Sequence, residues 1–163
     1  MNLLSTRRIL TKMIKENKTA LQKATDLLAN QEQSSAALRR KLLTRKYDAA
    51  EVDEALAKLK KYNYLDDAET CRHQFENLYA EGKLSIRQII AKLIQRGFDK
   101  NFIGQLIPDD SDEHERLAAE KLLTKKFTRA DKFDKAKAWQ FLTTRGFDGE
   151  VISSAVENFS KNR

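Results

Sequence analysis

At 163 residues with 40% apolar content, the chain can build one core-bearing domain or a row of small ones, and one proline with five glycines argues against a turn-rich all-β fold. Thirty-one Lys and Arg against 24 Asp and Glu give a net charge of +7, which points to an anionic partner, nucleic acid above all, or in the plainer reading to solubility alone. No apolar run approaches a membrane span, and Arg7, Arg8, Lys12 and Lys15 break up the N-terminal apolar pairs, so neither a spanning helix nor a signal peptide is expected.

Residues 1–19 read as a basic helical extension, followed by a helix near residues 20–30. Ser34 then opens a second helix, because its hydroxyl can accept from the free amides of a first turn, and this helix runs about a dozen residues to Lys46. Asp48 caps a third. The same order recurs. Tyr47-Asp48, Phe98-Asp99 and Phe147-Asp148 each follow an arginine two residues before the aromatic, Arg45, Arg96 and Arg145. Those offsets carry Ser34 onto Ser85 and Asp134, Leu42 onto Leu93 and Leu142, and Val52 onto Ile103 and Ile152.

Gly97 and Gly146 fall where a helix commonly ends on a left-handed residue, and Lys46 is the exception that carries a side chain there. Further first helices are expected near residues 67–80 and 113–127. Cys71, the single cysteine, forms no intrachain disulfide and reads as a small buried apolar residue of a cytoplasmic protein. The expected fold is all-α. Three tandem three-helix repeats, residues 20–66, 67–108 and 109–163, stack nearest-neighbour into an elongated curved rod, the last opening on an acidic connector from Asp109 to Glu115. Trp139, Phe141 and Phe147 are read as core or inter-repeat packing, with ligand stacking the alternative for Trp139.

Cations concentrate in the second helices, which carry no acidic residue. The candidate partner-binding set is Arg39, Arg40, Lys41 and Arg45 in the first repeat, Arg87, Lys92 and Arg96 in the second, and Lys137 and Arg145 in the third. Lys41 and Arg45 are one helical turn apart, as are Lys92 and Arg96, so stacked repeats would align them along one side. The competing reading gives Arg45, Arg96 and Arg145 a structural task, offsetting the helix dipole and covering the core edge with their stems.

His73 and His114 have no partners at metal-ligand spacing, and there is no phosphate-binding glycine loop or nucleophile elbow, so no enzyme, metal or cofactor is expected. The acidic residues around His114 read as a solvated linker. Asp66 and Asp67, adjacent carboxylates, read as a helix cap with a favourable dipole interaction.

The run Tyr64, Leu65, Asp66, Asp67 closely resembles a signature of the RecX family of recombination regulators. Ser34, Leu38, Arg39, Lys41 and Leu42 upstream are similar to that family's first-unit motif, and Gly82 to Phe98, with Ile89, Leu93 and Gly97, resembles its second. Asn63 stands where the family usually has glycine. The resemblance implies a modulator that binds the RecA recombinase filament on single-stranded DNA, lodging along its groove or blocking its extension, and lowers its recombinase and coprotease activities; a monomer is expected. An independent, non-specific nucleic-acid-binding repeat protein is the alternative, and a helical adaptor for acidic protein surfaces a third.

Overall fold

A computed structural model of the chain describes residues 18–128 and 133–161, so the expected N-terminal extension lies almost wholly outside the described residues. Within them the regular elements are helices: α1 (Ala20–Asn30), α2 (Ser35–Thr44), α3 (Ala49–Lys61), α4 (Asp67–Glu81), α5 (Ile86–Gln95), α6 (Lys100–Gln105), α7 (Ser111–Lys126), α8 (Lys135–Thr143) and α9 (Gly149–Lys161). The all-α expectation is met. The described residues divide into two compact units, with the boundary between Thr70 and Cys71.

The starts of these helices follow from local chemistry. Ser34 accepts from the Ala37 amide at 3.1 Å, Ser85 from Gln88 at 3.2 Å, and Asp134 from Ala136 at 2.8 Å. Asp48, Asp99 and Asp148 do the same for α3, α6 and α9. Thr19 and Gln22 form a reciprocal capping box at α1.

The ends repeat as closely. After α2 the Tyr47 amide donates to the Leu42 carbonyl and Lys46 to Leu43; after α5 Phe98 donates to Leu93 and Gly97 to Ile94; after α8 Phe147 donates to Leu142 and Gly146 to Thr143. This is one Schellman closure used three times, with φ of 65° at Lys46, 93° at Gly97 and 76° at Gly146. Asn63, at φ 58°, closes α3 in the same way.

In the first unit, Ala20 and Ala24 of α1, Leu38 and Leu42 of α2, and Val52, Leu56 and Leu59 of α3 form one core that Leu65 completes. In the second unit, Cys71 and Phe75 of α4 pack with Ile89 and Leu93 of α5, Phe98, and Ile103 of α6. A further cluster there joins Ala118, Ala119 and Leu123 of α7, Leu142 of α8, Phe147, and Ile152 and Val156 of α9. The apolar positions that recur in the sequence are therefore the core positions.

Two expectations are corrected. Trp139 is not core. It is 43% exposed, because α8 turns Ala138 and Leu142 inward and Trp139 lies about 100° round the helix from Ala138. Nor is Asp109 to Glu115 a solvated linker. Residues from Ser111 onward are already helical, His114 stacks on Tyr79 at 3.7 Å while its Nε2 donates to the Tyr79 carbonyl at 2.7 Å, and Glu115 is buried.

Candidate nucleic-acid interface

The second helices, α2, α5 and α8, carry the candidate cations, and what sets their surface is how their own ends are held. Every helix leaves its first four amides without intrahelical partners. At α2 the Ser34 hydroxyl serves one, and the Asp67 carboxylate, from the first turn of α4, takes the Ser35 amide at 2.6 Å. At α5 Ser85 serves one, and Glu115 Oε1, from α7, takes the Ile86 amide at 2.7 Å. Ser85 also donates to the Arg145 carbonyl at 2.7 Å, and its helix passes so near Gly146 that an added Cβ there would lie 3.2 Å from the Arg87 Cβ. The starts of both helices are thus tied down by an acidic side chain from a later helix.

This revises the reading of the Tyr64–Asp67 run. Asp66 is the cap of α4, accepting from Ala68 at 2.9 Å and Glu69 at 3.0 Å. Asp67 instead serves α2 and takes the Lys60 ammonium at 3.4 Å. Leu65 is buried, but Tyr64, expected to share the structural role of the run, is 73% exposed. The left-handed turn at Asn63 delivers Leu65 to the core and leaves Tyr64 outside it.

The candidate cations fall into two groups. Arg39 forks onto Asp53 of α3 through Nε at 2.7 Å and Nη2 at 3.1 Å, a pairing that holds the Asp53 carboxyl below its ordinary range. Arg45 donates to the Lys41 carbonyl at 2.7 Å, and Arg145 to the Phe141 carbonyl at 3.3 Å while stacking 3.7 Å over the Phe141 ring. Arg96 donates to Gln74 at 2.7 Å, and Lys137 lies 3.8 Å from the Asp134 carboxylate. Arg45 and Arg145 thus reach the last carbonyls of their own helices, as the competing reading expects, while Arg96 reaches across to α4.

The second group is Arg40, Lys41, Arg87 and Lys92. Among the described residues their side chains form no ion pair and no hydrogen bond, and all but the half-buried Lys41 are exposed. Arg40 lies two residues after core Leu38 and Arg87 two before core Ile89, each about 200° round its helix from the core. Cations so placed have no internal pair to break before meeting an anion. Carboxylates of the same helices offer no competition, since α2 and α5 contain none.

The chain matches the family model of the RecX first three-helix domain over residues 20–59, the stretch that holds α1, α2 and nearly all of α3. It is 31% identical over 148 residues to the regulatory protein RecX of Neisseria meningitidis serogroup A, covering 89% of this chain and 94% of the relative. The chain belongs to the RecX family. The Chlorobaculum tepidum member, also a regulatory protein RecX, is 35% identical over 143 residues, 85% of this chain and 87% of its own. The crystal structure of RecX from Lactobacillus salivarius superimposes with a TM-score of 0.74 at 17% identity over 87% of this chain and 95% of that one, a likeness of fold. Among the described residues no group of three or more His, Cys, Asp and Glu could hold a metal ion, and no helix is long and apolar enough to cross a membrane.

Proposed function

We propose that this protein is a regulator that binds the RecA recombinase filament on single-stranded DNA and lowers its recombinase and coprotease activities, acting as a cytoplasmic monomer. The exposed faces of α2 and α5 meet the anionic partner through Arg40, Lys41, Arg87 and Lys92. The observation that carries this reading is the division among the second-helix cations, in which these four are left unpaired while their neighbours are tied internally. Family membership supports the recombinase as the partner. Arg39, Arg45, Arg96, Lys137 and Arg145 play a lesser part, because each already has a partner within the protein.

The test is charge reversal of Arg40, Lys41 and Arg87 to Glu, against reversal of Lys100, Lys125 and Lys161, which lie on other helices. The first set is expected to weaken filament binding and relieve inhibition, and the second to leave both near wild type. At the exposed Arg40 and Arg87 such substitutions change stability by no more than about 0.5 kcal/mol each, and melting of the variant checks the half-buried Lys41. Each lost phosphate contact should flatten the logarithmic salt dependence by roughly 0.7 on a single strand. Equal loss in both sets would show that net charge rather than a face drives binding. Tight binding to bare DNA that filament does not improve would favour the independent nucleic-acid-binding protein.

A further inference from the structure

The first unit carries an apolar groove of about 610 Å³ between α1 and the end of α3, a size within the roughly 300–1,000 Å³ of small-ligand pockets. Leu21 and Leu28 wall one side, Leu59 forms part of the other, and Tyr62 and Tyr64 stand over its end. Both rings are costly to leave in water, and they are 64% and 73% exposed. The fold explains the leucines, whose inner faces join the core. It gives no reason for two tyrosines flanking the left-handed Asn63.

The rim is basic. Lys58, Lys60 and Lys61 fill the last turn of α3, and the Lys61 ammonium lies 5.9 Å from the centre of the Tyr62 ring. Lys58 pairs with Glu54 at 2.6 Å one helical turn away, a single exposed contact weaker than the two-point fork of Arg39 onto Asp53, so a phosphate can replace the carboxylate. Lysines here also offset the dipole of α3, a task that needs no aromatic beside them. Aromatic faces with lysines beside them at an apolar slot suit a single strand, since bases stack on the rings while phosphates meet the cations.

We propose that the groove between α1 and α3 is a single-stranded nucleic-acid site in which bases stack on Tyr62 and Tyr64 and the backbone runs past Lys58 and Lys61. None of these residues belongs to the α2 and α5 set, and the rings read base faces where that set reads charge.

The test uses the full chain, an oligothymidylate, and an abasic strand of the same length and charge. Wild type is expected to prefer the thymidylate. Tyr62→Ala and Tyr64→Ala should each weaken thymidylate binding by roughly 5- to 150-fold, leaving abasic binding and the salt slope unchanged. Tyr→Phe at either position keeps the stacking face and should bind as wild type. With both rings largely in solvent, circular dichroism and melting should match wild type in all four variants, so that lost binding is not lost folding. Equal affinity of wild type for the two strands, alanine variants that bind thymidylate like wild type, or no thymidylate binding at low salt would each overturn the site. A groove occupied by an apolar protein segment would give the second of these results. Because the stacking variants leave charge untouched and the α2 and α5 reversals leave the rings untouched, either site can fail while the other stands.

Discussion

Glu115 offers the sharpest test of how the second unit is held together. Its carboxylate is buried and accepts the Ile86 amide at 2.7 Å, which belongs to the first residue of α5. Desolvation by burial raises its pKa above the ordinary carboxylate range, and the nearby Asp112 and Asp148 push in the same direction, while the Ile86 hydrogen bond and His114 oppose them. What the site needs is therefore an acceptor rather than a charge. Glu115→Gln keeps a carbonyl oxygen in place and should be neutral or stabilising at pH 7. Glu115→Ala leaves the Ile86 amide unpartnered and should cost roughly 1–3 kcal/mol, a fall in melting temperature of about 2–4 °C per kcal/mol for a chain of this size.

The pH dependence follows from the same geometry. A carboxyl whose folded pKa is raised holds its proton in the folded state after the unfolded chain has lost it, so stability falls as pH climbs from the unfolded value through the folded one. Wild type should lose stability over that interval, just above the ordinary carboxylate range, and Glu115→Gln should lose less. Thermal melts from pH 4 to pH 8, read by circular dichroism, measure both effects. If Glu115→Gln destabilises as much as Glu115→Ala, or if the wild-type and Gln profiles run parallel, the charge itself is holding α5 and the reasoning fails.

The repeated helix closures give a second prediction. Gly97→Ala and Gly146→Ala should each destabilise by about 1 kcal/mol for their positive φ, with Gly146 the worse because its new Cβ would press on Arg87, whereas Lys46→Gly should be neutral or stabilising. Urea titration of the three variants checks the order. At Asp67, replacement by Asn preserves an acceptor for the Ser35 amide and should be nearly neutral, while Ala should cost about 0.5–2 kcal/mol, and magnesium should not stabilise either variant. Stabilisation of the wild type by magnesium would mean that Asp66 and Asp67 act as ligands instead.

Much of the fold was legible in the sequence because its signals are local. A serine or aspartate at a cap acts within three residues, as Ser34, Ser85, Asp99 and Asp134 do, and a left-handed residue closes the helix that immediately precedes it. Core positions declared themselves by recurrence, since Leu42, Leu93 and Leu142 are all buried. Lys46 shows the strength of the local rule, for it takes the left-handed angle without being glycine.

What only the tertiary structure decided were the pairings between residues far apart in the chain. Asp67 reaches Ser35 across 32 residues and Glu115 reaches Ile86 across 29, links that no spacing announces because a carboxylate beside its own helix start already has a cap to explain it. The same limit applies to the cations, since Arg39 and Arg40 are neighbours in sequence, and only the position of Asp53 on α3 ties up one and leaves the other open. It applies to the aromatics as well. Hydrophobicity left Trp139 between core, inter-repeat packing and ligand stacking, and could not foresee two tyrosines at the mouth of a groove, because exposure depends on which helices pack over a side chain, and that is settled only when the chain has folded.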